Sequence, residues 1–335
     1  MYFRLKKAPK RCFYAEERNA NMSFLYFLEG LRNPVLDFLF SLITRCGEET
    51  VFMAVGMIVF WCFNKYKGYY LLCVGFIGTV INQFLKILCR VPRPWVKDPS
   101  FLPVEGTMEA ATGYSFPSGH TQTSVGLFGG IARATRIRAL RIGMIVLAAL
   151  VAFSRMYLGV HTPADVLVSL GIATLLVFVA YPLFKKAEES PRVMYGILGS
   201  FTAIMVAYIL FVMLYQFPEE VYHVDAVHNL ISARENGFTL LGCAVGLLVT
   251  YTVDLKWTHF DTKAVWWAQI LKVVGGLALV VAVKALLKAP LNALLVNEYV
   301  ARSVRYFLMV VVGGVLWPMT FKSFAKLGRK QKEGK

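Results

Sequence analysis

KILCRVPRPW (86–95), FPSGH (116–120) and SRMYLGVHTPAD (154–165) hold almost every unusual residue of an otherwise apolar chain. They contribute the cations Lys86, Arg93 and Arg155, the imidazoles of His120 and His161, the carboxylate of Asp165 and a Ser118-Gly119 turn. Each stretch abuts a greasy run of helical length, so the three polar islands sit at the ends of apolar segments. The fold class follows from those flanks.

The chain has 335 residues, 57% of them hydrophobic and only 17% charged. Soluble domains carry about 25% charged residues. About 20 consecutive apolar residues cross a bilayer as a helix, and the sequence offers ten such candidates. They cover residues 25–44, 49–64, 69–89, 119–134, 140–158, 164–184, 193–216, 237–253, 265–286 and 302–321. Glu29, Arg32 and Pro34 interrupt the first, so an interfacial helix leading into a shorter span is its alternative. The fourth is short and rich in glycine. The expected architecture is all-α, a polytopic membrane helical bundle. A charged connector, KKAEESPR at 185–192, separates six N-terminal spans from four C-terminal ones. Four regions result: a basic leader (1–24), a six-helix core (25–185), a C-terminal transmembrane extension (193–321) and a basic tail (322–335).

Net charge is +16, from 36 Lys and Arg against 20 Asp and Glu. In a soluble protein this excess suggests nucleic acid. Here most of it sits in short connectors, as membrane orientation requires, so nucleic acid is not expected as a partner and membrane lipids are. Lys65 and Lys67, the arginines 133, 136, 138 and 141, then Lys185, Lys186, Arg192, Lys256 and Lys263 all fall on one predicted side. That side is cytoplasmic, with both termini, in a multi-pass protein of the cell membrane. The leader lacks an apolar core followed by small cleavage-site residues, so it is not a secretory signal. Arg45, Arg234, Lys288 and Arg302 are isolated exceptions. The dense exception is Lys86, Arg90, Arg93 and Lys97 with Arg155 nearby, so the strongest break in the charge rule coincides with the polar islands. The six cysteines show no metal-ligand spacing and read as buried thiols. Glu219, Glu220, His223, Asp225 and His228 share one outer loop and read as a solvated acidic loop, since metal-ligand spacing is missing there too.

Ionisable residues at membrane depth are costly and mark functional sites. Lys86 and Arg93 repel one another unless an anion sits between them, and Arg offers a planar fork suited to phosphate oxygens. Head-group anchoring by snorkelling is the bland alternative. Ser118 and Gly119 open a helix whose N–H groups can cradle an anion, although Ser118 also reads as an ordinary N-cap. His161 and Asp165, four apart, would share a helix face, where the carboxylate can orient the imidazole. A helix-entrance ion pair without chemistry fits that spacing equally. Nucleophilic His with an orienting Asp suits phosphoryl transfer through phosphohistidine. His120 then remains as general acid and Arg155 as a third cation.

Lys86-x6-Arg93-Pro94, Pro117-Ser118-Gly119-His120 and Ser154-Arg155-x5-His161-x3-Asp165 together resemble the three-part signature of the type 2 phosphatidic acid phosphatase superfamily, with no signature residue substituted. The resemblance covers about residues 25–185. It implies a six-helix core with its site at the non-cytoplasmic face, hydrolysing phosphate esters or anhydrides without metal or other cofactor. His161 is then the nucleophile, Asp165 its partner and His120 the acid. Lys86, Arg93, Ser118, Gly119 and Arg155 bind the phosphate. The four C-terminal spans resemble the longer layout of sphingosine-1-phosphate phosphatases and glucose-6-phosphatases, on span count alone. Expected substrates are lipid phosphates or diphosphates of phosphatidic-acid, sphingoid or isoprenoid type. A phosphotransferase with an alcohol or sugar acceptor, and a non-enzymatic phospholipid-binding or transport protein, are the competing readings. Oligomeric state is not legible.

Overall fold

The computed structural model describes residues 16–111, 113–216 and 224–327. Most of the leader, the tail beyond 327 and the loop carrying Glu219, Glu220 and His223 lie outside the described residues, as does Cys12. Among the described residues every regular element is helical. The first are α1 (Glu16–Glu29), α2 (Pro34–Arg45) and α3 (Glu49–Ile58), which continues into a π turn over Val59–Phe63. Next come α4 (Lys65–Cys89) and the short α5 (Pro94–Lys97) and α6 (Thr107–Ala110). Gly119–Ser124 (α7), a π turn over Val125–Gly129 and Gly130–Ala134 (α8) then run end to end. Long helices follow: α9 (Arg138–Tyr157), α10 (Pro163–Ala187), α11 (Pro191–Leu214), α12 (Val224–Val253) and α13 (Trp266–Leu286). The chain closes with α14 (Lys288–Leu294), α15 (Glu298–Val311), α16 (Trp317–Met319) and α17 (Phe321–Lys326).

Seven helices are individually long and apolar enough to cross a membrane, and an eighth span is possible if α2 and α3, bent by 51°, count as one. The ten expected spans therefore need correction at two places. The stretch 25–44 is not one helix: α1 stops at Glu29, and α2 begins behind the Asn33 cap with Pro34 in its first turn. Pro cannot continue a helix but suits its first turn, so the break is local chemistry. Arg32 holds the break in place, donating to the carbonyls of Tyr157 (3.2 Å) and Leu102. Asp37 accepts from the Tyr157 hydroxyl at 2.7 Å. The second place is 119–134, where three short pieces make a segment below the usual spanning length.

Successive helices alternate in direction. Cys89 and Tyr157 therefore close α4 and α9 at the end of the bundle where α7 and α10 open, and the polar islands converge there. The basic connectors occupy the opposite end. There Lys65 pairs with Asp254 at 2.5 Å, Lys67 donates to the Ala134 carbonyl at 3.1 Å, and Arg133 lies 4.4 Å above the Tyr181 ring.

The last four long helices are welded to the rest. A Cβ on Gly242 would lie 2.1 Å from the Ser303 carbonyl oxygen, and one on Gly246 would lie 2.7 Å from Val310. This glycine pair, four residues apart on α12, lets α15 approach to backbone contact, the usual way helices associate in lipid. Trp61 of the first π turn is fully buried and donates its indole N–H to the Gly313 carbonyl at 2.8 Å. The five described cysteines are free thiols.

Candidate active site

A cavity of about 170 Å³ opens at the converging ends of α4, α7 and α9. Lys86, Arg93, Gly119, His120, Arg155 and His161 line it. Six of the eight residues expected from sequence thus meet around one space. Ser118 and Asp165 are not in its lining and stand behind it.

Arg93 is the N-cap of α5 and is 7% exposed. Its Nε donates to the Gly113 carbonyl at 2.9 Å, and an Nη donates to the Val160 carbonyl (2.8 Å) and to His161 Nε2 (3.0 Å). Lys86, in the last turn of α4, donates to the Tyr114 carbonyl at 2.5 Å. Arg155 reaches the Thr44 hydroxyl at 2.6 Å, yet its Nε is buried without a partner. A buried cationic N–H left unmatched is costly and calls for an anion. The three cations crowd one space, and Asp165, just behind it, is held by other groups.

His161 meets Asp165 in a way the four-residue spacing misrepresents. His161 is not on α10. Thr162 caps that helix, Pro163 is its first residue and Asp165 its third, forming a capping box. Asp165 Oδ2 accepts from the Thr162 N–H at 2.7 Å and from the Ser115 hydroxyl at 2.6 Å. His161 Nδ1 lies 3.6 Å from the same oxygen, beyond hydrogen-bond length, and 3.5 Å from Ser115 Oγ. The carboxylate therefore orients the ring by charge at short range, with the Ser115 hydroxyl between them. Nε2 faces the cavity. Burial, reinforced by the Arg93 guanidinium, holds the imidazole below its ordinary pKa, so the ring is neutral and Nε2 carries a lone pair.

Ser118 resolves to its plainer alternative. Its hydroxyl caps α7, accepting from the Thr121 hydroxyl at 2.9 Å, while its N–H donates to the Asp165 carbonyl at 3.1 Å. It frames the site without facing the cavity. Gly119 does face it, and a Cβ there would find only Asn82 Oδ1 within 4 Å, at 3.9 Å. The glycine leaves room for a ligand to approach the N–H groups opening α7. His120 stands in the same turn, against Gly47.

Ser115 is a site residue that sequence reasoning missed. It is fully buried, and its N–H donates to the Val91 carbonyl at 2.8 Å, tying the loop before Arg93 to the one that leads into α7. Ser115→Ala should lower kcat/KM for phosphate release roughly tenfold, since it leaves a buried carboxylate short of one donor. Progress curves on purified protein check this, with Ser115→Thr expected to recover most of the loss. No group of three His, Cys, Asp or Glu with metal-binding geometry occurs among the described residues.

Comparison with known proteins places the chain among membrane phosphatases by sequence. Residues 66–189 match the PAP2 superfamily, and residues 238–330 match the PAP2 superfamily phosphatase, transmembrane extension. Undecaprenyl-diphosphatase BcrC of Bacillus subtilis is 30% identical over 48% of this chain and 82% of its own length. The probable sphingosine-1-phosphate phosphatase of Dictyostelium discoideum is 30% identical over 51% of this chain, which spans only 44% of that protein. A solved phosphatidylglycerolphosphate phosphatase from Bacillus subtilis is 26% identical, with a TM-score of 0.44, over 51% of this chain and 88% of its own.

Proposed function

Because the chain belongs to the PAP2 superfamily, we propose that it is an integral-membrane phosphatase acting on a lipid phosphate or diphosphate through a phosphohistidine at His161. The observation that carries the reading is His161 in the lining of a cavity walled by Lys86, Arg93 and Arg155, its Nε2 accepting from Arg93. Binding alone needs the cations, whereas an oriented imidazole among them serves attack on phosphorus.

An Arg93 N–H donates to Nε2 at 3.0 Å. An arriving phosphate competes for that N–H, so substrate binding itself frees the nucleophile. Nε2 then forms the N–P bond as the ester P–O bond breaks. Burial and the Arg155, Arg93 and Lys86 cations push the His120 imidazole pKa down to about 3, so the proton it relays to the departing alcohol oxygen comes from the phosphate monoanion. Asp165, steadied by Ser115 and the Thr162 N–H, stabilises the charge that develops on the imidazole. Neutral His120 next takes a proton from water, which attacks the phosphohistidine and releases inorganic phosphate while Nε2 is restored. Arg93, Arg155 and Lys86 hold the equatorial oxygens through both steps. These residues complete the sequence of steps with no metal ion or organic cofactor.

The division into a catalytic core (25–185) and a transmembrane extension (193–321) belongs to this proposal. So does a site on the non-cytoplasmic face of the cell membrane, which the basic connectors at the opposite end of the bundle support. The test is phosphate release by the purified chain from phosphatidic acid, sphingosine 1-phosphate and an isoprenoid diphosphate, with and without chelator. Release from at least one, unchanged by chelator, is expected. Release from none would overturn the assignment, and loss with chelator would overturn the metal-free mechanism.

A further inference from the structure

The lining of the cavity includes residues that the phosphate reading leaves unused. Glu49 and Gln122 line it, with Thr79 and Gln83 beside them. No further lysine or arginine stands there. Gln122, on α7, is 3% exposed, yet neither its Nε2 nor its Oε1 has a partner. The position of this amide is no accident of loose packing. A Cβ on Gly78 would lie 2.6 Å from Gln122 Nε2, so α4 carries a glycine where the side chain crosses it. Glu49 opens α3 at the exposed rim of the same cavity and forms no ion pair among the described residues. A buried amide without hydrogen bonds is costly. Such unmatched groups are few in native proteins, and at a cavity wall a bound ligand is one way to complete them.

We propose that Glu49 and Gln122 form a subsite for a protonated amine, so that the preferred substrate is the phosphate monoester of a lipid amino-alcohol. This rests on the phosphatase reading above and narrows it. The carboxylate pairs with the ammonium, and the Gln122 Oε1 accepts one of its remaining N–H groups. The cavity thus presents cations to the phosphate and an anion with neutral acceptors to the amine, matching a zwitterion end to end. A diphosphate would place its second phosphate against this wall, where Glu49 repels it and no cation compensates. A diacylglycerol phosphate brings only ester carbonyls, which satisfy the Gln122 amide N–H groups but not Glu49.

The test compares kcat/KM of the full chain in mixed micelles for sphingosine 1-phosphate, its N-acylated counterpart and an isoprenoid diphosphate. Acylation removes the positive charge and leaves the phosphate intact. The wild type should favour the free amine over both others by about tenfold or more. In Glu49→Gln the preference over the acylated lipid should shrink towards one, mainly through KM, and Glu49→Asp should restore part of it. An acylated lipid or diphosphate turned over as well as the free amine by the wild type would overturn the subsite while leaving the phosphatase reading intact. So would a selectivity unchanged in Glu49→Gln. The wild-type comparison decides the matter even where a variant fails to fold. Absence of phosphate release from all three would remove both readings together.

Discussion

His161→Ala should abolish phosphate release, lowering kcat by roughly 10⁴-fold or more, the scale of losing a covalent nucleophile. The ring is 2% exposed and its contacts are polar ones with Arg93, Ser115 and Asp165, so its removal leaves the helix packing untouched. The variant should therefore elute as the same species in detergent and melt within a few degrees of the wild type. Rapid acid-free quenching with radiolabelled substrate should trap a protein-bound, acid-labile phosphate in the wild type and none in the variant. Turnover of His161→Ala within tenfold of the wild type, or a labelled intermediate surviving in it, would sink the mechanism.

Arg93→Ala is expected to lower kcat/KM by about 10²–10³-fold, comparable to removing one strong donor from a developing anion. Arg93→Lys should recover little of this. The guanidinium spans the Gly113 carbonyl, the Val160 carbonyl and His161 Nε2 at once. An ammonium is a point charge without that planar fork. Lys86 holds a single carbonyl, that of Tyr114, and its replacement by arginine should be tolerated better. Steady-state kinetics on the lipid phosphate that the wild type hydrolyses fastest would check both. A lysine variant near wild-type rate would show that Arg93 contributes charge alone.

Much of this site is legible in the sequence because its parts are rare where they occur. Cations and imidazoles at the ends of apolar runs are conspicuous, and their spacing along alternating helices brings them to one end. What stays hidden has local causes. Ser115 sits in an unpatterned loop between Tyr114 and Phe116, and only the folded chain reveals its bond to Asp165. The spacing of His161 and Asp165 is the same whether the histidine lies on the helix or ahead of its cap. In the fold Thr162, Pro163 and Asp165 are cap, first-turn proline and capping-box acid, which sets His161 ahead of α10. The break after Glu29 is legible in Glu29, Arg32 and Pro34, but its anchoring by Arg32 to Tyr157 and Leu102 is not. Gly242 and Gly246 disappear into an apolar run because their significance lies in Ser303 and Val310, some sixty residues further along.

Trp61 bears on how far this protein can be taken apart. Its indole is closed in by Gly276 and Gly313, both in the C-terminal helices, and its N–H ends on the Gly313 carbonyl. A chain cut after residue 190 would leave that donor facing hydrocarbon, where no water can take over the bond. It would also strand Lys65, four residues further on at the start of α4, without Asp254. The phosphatase half is therefore not an excisable module to which four helices were appended. Shortening this chain to the six-helix minimum would require rewriting the interior of α3 as well as deleting α11–α17.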